Sequence, residues 1–95
     1  MLAVAKLPSE AAPDISAEER VVSLGCAIQN VLLLATAMGY GSGLTSGKAT
    51  TSQRLRELFG LARNEAPVCF VNIGTVSARK AGRARPAIGD FVSSL

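Results

Sequence analysis

Apolar residues fall into three runs, separated by stretches that carry glycine and proline. The first, Met1-Leu2-Ala3-Val4-Ala5-Lys6, is apolar on both faces of an extended chain. That predicts a strand over 1–6 of the kind that sits in the middle of a sheet, with neighbours drawn from elsewhere. Leu7 to Pro13 contains two prolines and reads as a loop.

The second run is the longest. Ser16-Ala17-Glu18-Glu19 has the S-x-x-E spacing in which a serine oxygen and a glutamate carboxylate satisfy each other's backbone amides, so Ser16 is the expected N-cap. Glu18 and Glu19 also suit the positive end of the helix dipole. Gly39 is placed to stop the helix, which predicts a helix over 17–38, rising about 33 Å. Beyond Val21 it is apolar nearly all round, through Val22, Leu24, Ala27, Ile28, Val31, Leu32, Leu33 and Leu34. Such a helix is expected to be surrounded, with a partner subunit as its second wall. Gln29-Asn30 at its centre favours a buried helix over a membrane span.

A glycine-rich loop is expected over 39–50. Thr50-x-x-Gln53 then offers a second capping box, which predicts a short helix over 51–59. Leu55, Leu58 and Phe59 would face inward, Arg54, Arg56 and Glu57 outward, and Gly60 would end it. Pro67-Val68-Cys69-Phe70-Val71-Asn72-Ile73-Gly74-Thr75 is the second predicted strand. Residues 76–95 form a basic tail with a last turn near Phe91. The class is α+β (mixed α/β) in a single small domain, or part of a larger one, with no internal repeat.

Composition sharpens this picture. With 48% hydrophobic and 18% charged residues the chain buries surface, and a short chain has little interior of its own to hide it in. Association through an apolar face, or membership of a larger fold, is therefore expected. The net charge is +3, and residues 54–95 carry seven of the ten basic side chains but three of the seven acidic ones. Arg79, Lys80, Arg83 and Arg85 make a patch with only Phe91 near it, without the interleaved aromatics that stack bases. Nucleic acid is not an expected partner. Cys26 and Cys69 read as two buried free thiols. No secretory leader is expected from Met1 to Glu10, because Lys6 and Pro8 break the apolar start, and the expected location is cytoplasmic.

The loop Gly39-Tyr40-Gly41-Ser42-Gly43-Leu44-Thr45-Ser46-Gly47-Lys48-Ala49-Thr50 raises the question of function. It misses the phosphate-binding pattern G-x-x-x-x-G-K-[ST] at Ser42 and Ala49, and it follows a helix where that motif follows a strand. The dinucleotide pattern G-x-G-x-x-G fails at Ser46. The chain has no histidine, which removes a Ser-His nucleophile and a histidine metal site. Glu10, Asp14, Glu18, Glu19, Glu57, Glu65 and Asp90 form no pair in sequence and read as caps or solvated groups. Chemistry carried by a bound cofactor remains, and it points to a group with electrons to move.

At this point an ordered series of segments resembles the C-terminal half of the FMN-dependent nitroreductase family. It runs from Val4-Ala5-Lys6 through the helix core Ser23-Leu24-Gly25-Cys26-Ala27-Ile28-Gln29-Asn30-Val31-Leu32-Leu33-Leu34-Ala35. It continues with Gly39-Tyr40-Gly41-Ser42, then Arg56-Glu57-Leu58-Phe59-Gly60-Leu61, Ile73-Gly74-Thr75 and Arg83-Ala84-Arg85-Pro86. The resemblance covers nearly the whole chain. It implies a sheet flanked by helices, with the long helix buried at the interface of a homodimer. It implies FMN at that interface, and two-electron transfer from NADH or NADPH to a small-molecule acceptor such as a nitro compound or quinone.

Carried onto this chain, the resemblance places Leu44, Thr45 and Ser46 against FMN, with Thr45 where an arginine often stands. Arg83, or Arg85 in the alternative register, falls where the tail supplies a cation near the phosphate. Leu34, Ala35, Thr36, Ala37, Met38 and Gly39 match a segment credited with nicotinamide-nucleotide contact, although a helix C-terminus is electrostatically wrong for phosphate. The family's domain is roughly twice this length, and its Arg-Arg-Ser-type segment that grips the FMN phosphate has no counterpart here. Whether this chain is active alone is therefore left open. The alternative reading is a non-catalytic dimerisation remnant without cofactor.

Overall fold

The structure, a computed structural model, describes residues 1–8, 14–78 and 81–95. Most of the loop expected before Ser16, and Arg79 and Lys80 of the basic patch, lie outside those residues. Three strands and two α-helices follow in the order β1 (Leu2–Lys6), α1 (Ala17–Ala37), β2 (Gly41–Thr45), α2 (Gln53–Leu58) and β3 (Glu65–Gly74). Short 3₁₀ turns occupy Lys48–Thr51 and Ile88–Asp90. The last of these meets the expectation of a turn near Phe91.

The sheet is antiparallel throughout, in the order β1-β3-β2. Its centre is β3, not β1. Within the described residues β1 has β3 as its one strand neighbour; the further neighbours expected for Met1 to Lys6 were to be drawn from elsewhere. Apolar faces report what covers a strand above and below, and say nothing of how many strands lie beside it.

Ala3 pairs with Cys69 and Val4 with Pro67, so Val68 has no partner across the ladder. This one-residue bulge sends Val68 and Cys69 to the same side of the sheet, where both pack with Ala3, Val71 and the helix residues Leu24, Ile28, Val31 and Leu32. Pro67, which has no amide to donate, sits beside the break.

Helix α1 starts as its sequence dictates. The Glu19 amide donates to Ser16 Oγ (3.1 Å) and the Ser16 amide to Glu19 Oε2 (2.9 Å), closing the reciprocal cap. It stops at Gly39, whose φ of +83° is open to glycine at no steric cost. There the Gly39 amide donates to the Thr36 carbonyl (3.0 Å) and the Tyr40 amide to the Ala35 carbonyl (2.9 Å), the paired bonds of a Schellman ending.

Between its ends, α1 is not surrounded within the chain. Only Ile28 and Ala35 are buried, with Leu24, Val31 and Leu32 partly so, and these five form one stripe on the sheet. Val22, Cys26, Gln29, Asn30 and Leu33 are exposed. Cys26 was expected to be buried and is not; Cys69 is. By length and composition α1 could cross a bilayer, yet one of its faces is committed to the sheet.

The segment after β2 departs from its expected form. Thr50 and Thr51 turn their hydroxyls back onto the Gly47 and Lys48 carbonyls (2.7 and 3.0 Å), making a 3₁₀ turn in place of a helix start. Ser52 caps α2 instead, its Oγ accepting from the Leu55 amide (3.2 Å). Gln53 does not close a capping box with Thr50; its amide donates to Glu57 Oε1 (3.1 Å).

Of the three residues expected inward on α2, Leu55 is buried, whereas Leu58 is 80% and Phe59 48% exposed. Arg56, expected outward, folds in and donates to the Glu65 carbonyl (2.8 Å) and the Ala62 carbonyl (2.6 Å). It ties α2 to the start of β3. A six-residue helix has too little length for its stripe of apolar side chains to govern its packing.

Candidate functional site

The stretch expected as a loop over 39–50 contains β2, and that strand sorts the predicted cofactor residues. Leu44 pairs with Val71 and Thr45 with Phe70. Val71 faces α1, so Leu44 does too, and Ser46, two residues on, follows it. Leu44 and Ser46 line a groove of about 370 Å³ with Leu24, Ile28 and Gln29 of α1. It is apolar except for the Gln29 amide and the Ser46 hydroxyl.

Thr45 projects from the opposite face. There the Asn72 side-chain amide donates to Thr45 Oγ1 at 3.0 Å across the strand pair. Asn72 stands opposite Gly43, so the contact runs along the diagonal that longer side chains span. Three consecutive residues of a strand cannot all present side chains to one face of a planar ligand. A ligand touching all three meets the strand at its edge or its end. β2 is an edge strand, with a side free of strand neighbours among the described residues, so amide and carbonyl groups are available there.

Gly41 shows a second reason for the glycines in this stretch. A Cβ built there would lie 2.9 Å from Cγ2 of Val76, so the tail leaving β3 passes directly over it. Gly41–Gly43 and residues 72–78 border a shallow, open depression of about 400 Å³. The tail thus meets β2 at its start, while Leu44 and Ser46 lie toward its far end. Strand geometry separates Gly41 from Ser46 by roughly 17 Å. Arg83 and Arg85 are exposed beyond that crossing.

The proposed nicotinamide segment is the C-terminal turn of α1. Ala35 is buried. Thr36 Oγ1 donates to the Leu32 carbonyl (2.9 Å), and the Schellman bonds occupy the carbonyls of Ala35 and Thr36. Leu34 and Met38 are exposed and apolar, while Ala37 and Gly39 present backbone. Among the described residues no cluster of metal-ligating side chains occurs.

Asn72 was missed by the sequence reading. The signal was present: it is the one amide in the apolar run Val68 to Ile73. A polar residue in a strand that otherwise buries itself asks for a partner.

Comparison with known proteins places these elements. Residues 2–75 match the model of the nitroreductase family. A protein of Haemophilus influenzae named "Putative NAD(P)H nitroreductase" is 37% identical over 79 residues, covering 81% of this chain and 42% of the relative. The Escherichia coli K12 protein named "Putative NAD(P)H nitroreductase YdjA" is 37% identical over 57 residues, covering 60% of this chain and 31% of the relative. Among solved structures, a nitroreductase-like family protein from Bacillus cereus superposes with a TM-score of 0.77 at 24% identity, covering 95% of this chain and 46% of that one. That likeness carries the fold. The chain spans less than half the length of each of these relatives. The match over 2–75 takes in the capped helix, the glycine stretch and the central strand in their observed order, and on that ground the chain belongs to the nitroreductase family, a family of oxidoreductases.

Proposed function

We propose that this chain forms the C-terminal portion of an FMN-dependent oxidoreductase of nitroreductase type. It would move two electrons from NADH or NADPH to a nitro compound, a quinone or a similar small acceptor, as a homodimer. The observation that carries this reading is the end of β2, where a hydroxyl-bearing edge strand borders an apolar groove inside a matched family segment.

The donor set fits FMN in kind. The Thr45 and Ser46 hydroxyls and the free edge of β2 offer neutral hydrogen bonds to ring or ribityl oxygens, and Leu44 offers apolar contact. Arg83 and Arg85 offer guanidinium groups suited to a phosphate. Bound FMN would supply the two-electron carrier that this chain lacks among its own side chains. At the end of α1, Leu34 and Met38 would meet a nicotinamide nucleotide through apolar contact. The helix end carries partial negative charge, which opposes phosphate binding there.

The exposed apolar face of α1 favours the homodimer, and it equally serves the second reading, a dimerisation module without cofactor. One titration separates the two. FMN fluorescence is followed as purified chain is added, alone and together with the remaining part of the Haemophilus influenzae relative supplied as a separate polypeptide. Quenching at micromolar concentration, with NAD(P)H oxidation on adding a nitroaromatic or quinone, is the expected result. A dimer that leaves FMN fluorescence unchanged under both conditions would refute the oxidoreductase reading.

A further inference from the structure

The bond between Asn72 and Thr45 links the middle of the central strand to the end of the edge strand, across 27 positions of sequence. Its polarity matters more than its strength. Asn72 Nδ2 is the donor and Thr45 Oγ1 the acceptor, so one lone pair of the hydroxyl is engaged while its proton is not. Neither side chain has another hydrogen-bond partner among the described residues. Threonine is β-branched and restricted at χ1, so holding its oxygen also fixes where the hydroxyl can turn. Asn72 itself is held by β3, the strand with a neighbour on each side. A rigid element therefore aims a donor that sits on the sheet's edge.

We infer that Asn72 is a positioning residue that holds the Thr45 hydroxyl as a hydrogen-bond donor toward an acceptor oxygen of bound flavin. The inference rests on the FMN reading above and adds a residue to it. The acceptor is an oxygen of the flavin ring, of its ribityl chain or of its phosphate, groups of one ligand that share the same acceptor chemistry. The amide of Asn72 engages one lone pair of the Thr45 oxygen and so narrows the orientations open to its hydroxyl, which lowers the ordering cost on binding.

The test is a double-substitution cycle on the 95-residue chain, alone and together with the remaining part of the Haemophilus influenzae relative, read by flavin fluorescence with FMN and separately with riboflavin, which lacks the phosphate. Both residues are exposed, so the variants are expected to keep the wild-type far-ultraviolet circular dichroism. Asn72→Ala and Thr45→Val should each weaken FMN binding by roughly three- to tenfold, the range for one neutral hydrogen bond. The double variant should be no weaker than either single one, and Thr45→Ser, which keeps the hydroxyl, should restore most of the affinity. An equal loss with riboflavin assigns the acceptor to the ring or the ribityl chain; a loss confined to FMN assigns it to the phosphate. Additive losses, or a wild-type affinity in Asn72→Ala while Thr45→Val is weakened, would mean that Thr45 acts without Asn72. Loss in Asn72→Ala alone, or wild-type affinity in both variants, overturns the assignment as well. No binding by the wild-type chain, both alone and together with the remaining part of the Haemophilus influenzae relative, removes the FMN reading together with this one.

Discussion

The two faces of α1 share much of their apolar chemistry and differ in burial. Leu24, Ile28, Val31, Leu32 and Ala35 pack on the sheet; Val22, Leu33 and Cys26, which carry much the same chemistry, meet solvent within the chain. Ile28 is 9% exposed and Leu33 58%. The difference shows that hydropathy reports a demand for burial without naming the surface that meets it. The sheet-facing stripe is satisfied by residues of the same chain. The outer stripe is left exposed by the described residues, and we propose a twofold copy as its cover.

The sharpest way to break this comparison is to remove the same kind of group from each face. Ile28→Ala should lose about 2–4 kcal/mol in a denaturant titration, because it empties a packed position between helix and bulge. Leu33→Ala, measured at protein concentrations low enough to disfavour association, should change stability by less than about 0.5 kcal/mol. Equal losses at the two positions would mean that the faces are not different.

A charge on the outer face asks the complementary question. Leu33→Asp should weaken self-association by roughly a hundredfold, since a twofold interface would bury two unpaired carboxylates. Sedimentation velocity should show the shift from dimer to monomer while circular dichroism stays constant. An unchanged dimer would exclude this face as the interface.

Gly39→Ala acts on both faces at once, by straining the end of the helix that carries them. At φ of +83° a Cβ should cost about 1–2 kcal/mol, read as a lower midpoint in thermal unfolding. The smallest effect is expected at Cys26→Ser, within about 0.5 kcal/mol for the dilute chain, against a clear loss for Cys69→Ser in the packed core. If Cys26→Ser proves the more damaging of the two, the outer face is covered even in the isolated chain.

Local chemistry was legible where it is self-contained. Ser16 and Glu19 close their cap from four consecutive residues, and Gly39 stops the helix with bonds no further away than Ala35. The second box, at Thr50 and Gln53, has the equivalent residue types and does not form. There the threonine and serine hydroxyls find carbonyls three residues back, and Ser52 takes over the cap. Of the candidate site, Leu44, Thr45 and Ser46 were named through resemblance to a family, and the family match over 2–75 supports that resemblance. Their division between two faces was not legible, nor was Asn72 as the neighbour of Thr45.

By itself the sequence determined the long capped helix and the apolar strands β1 and β3, through bonds and periodicities that span a few residues. The α+β family fold was legible through resemblance. Only the tertiary structure decided that Gly41–Thr45 is a strand, since two glycines and no alternation give it no propensity, and it exists because the edge of β3 supplies its hydrogen-bond partners. It also decided that β3 is the centre, that Val68 bulges, and that Val76 requires a glycine beneath it. Each of these depends on residues far apart in the chain, and strand order and close approach are properties of pairs that no single segment encodes.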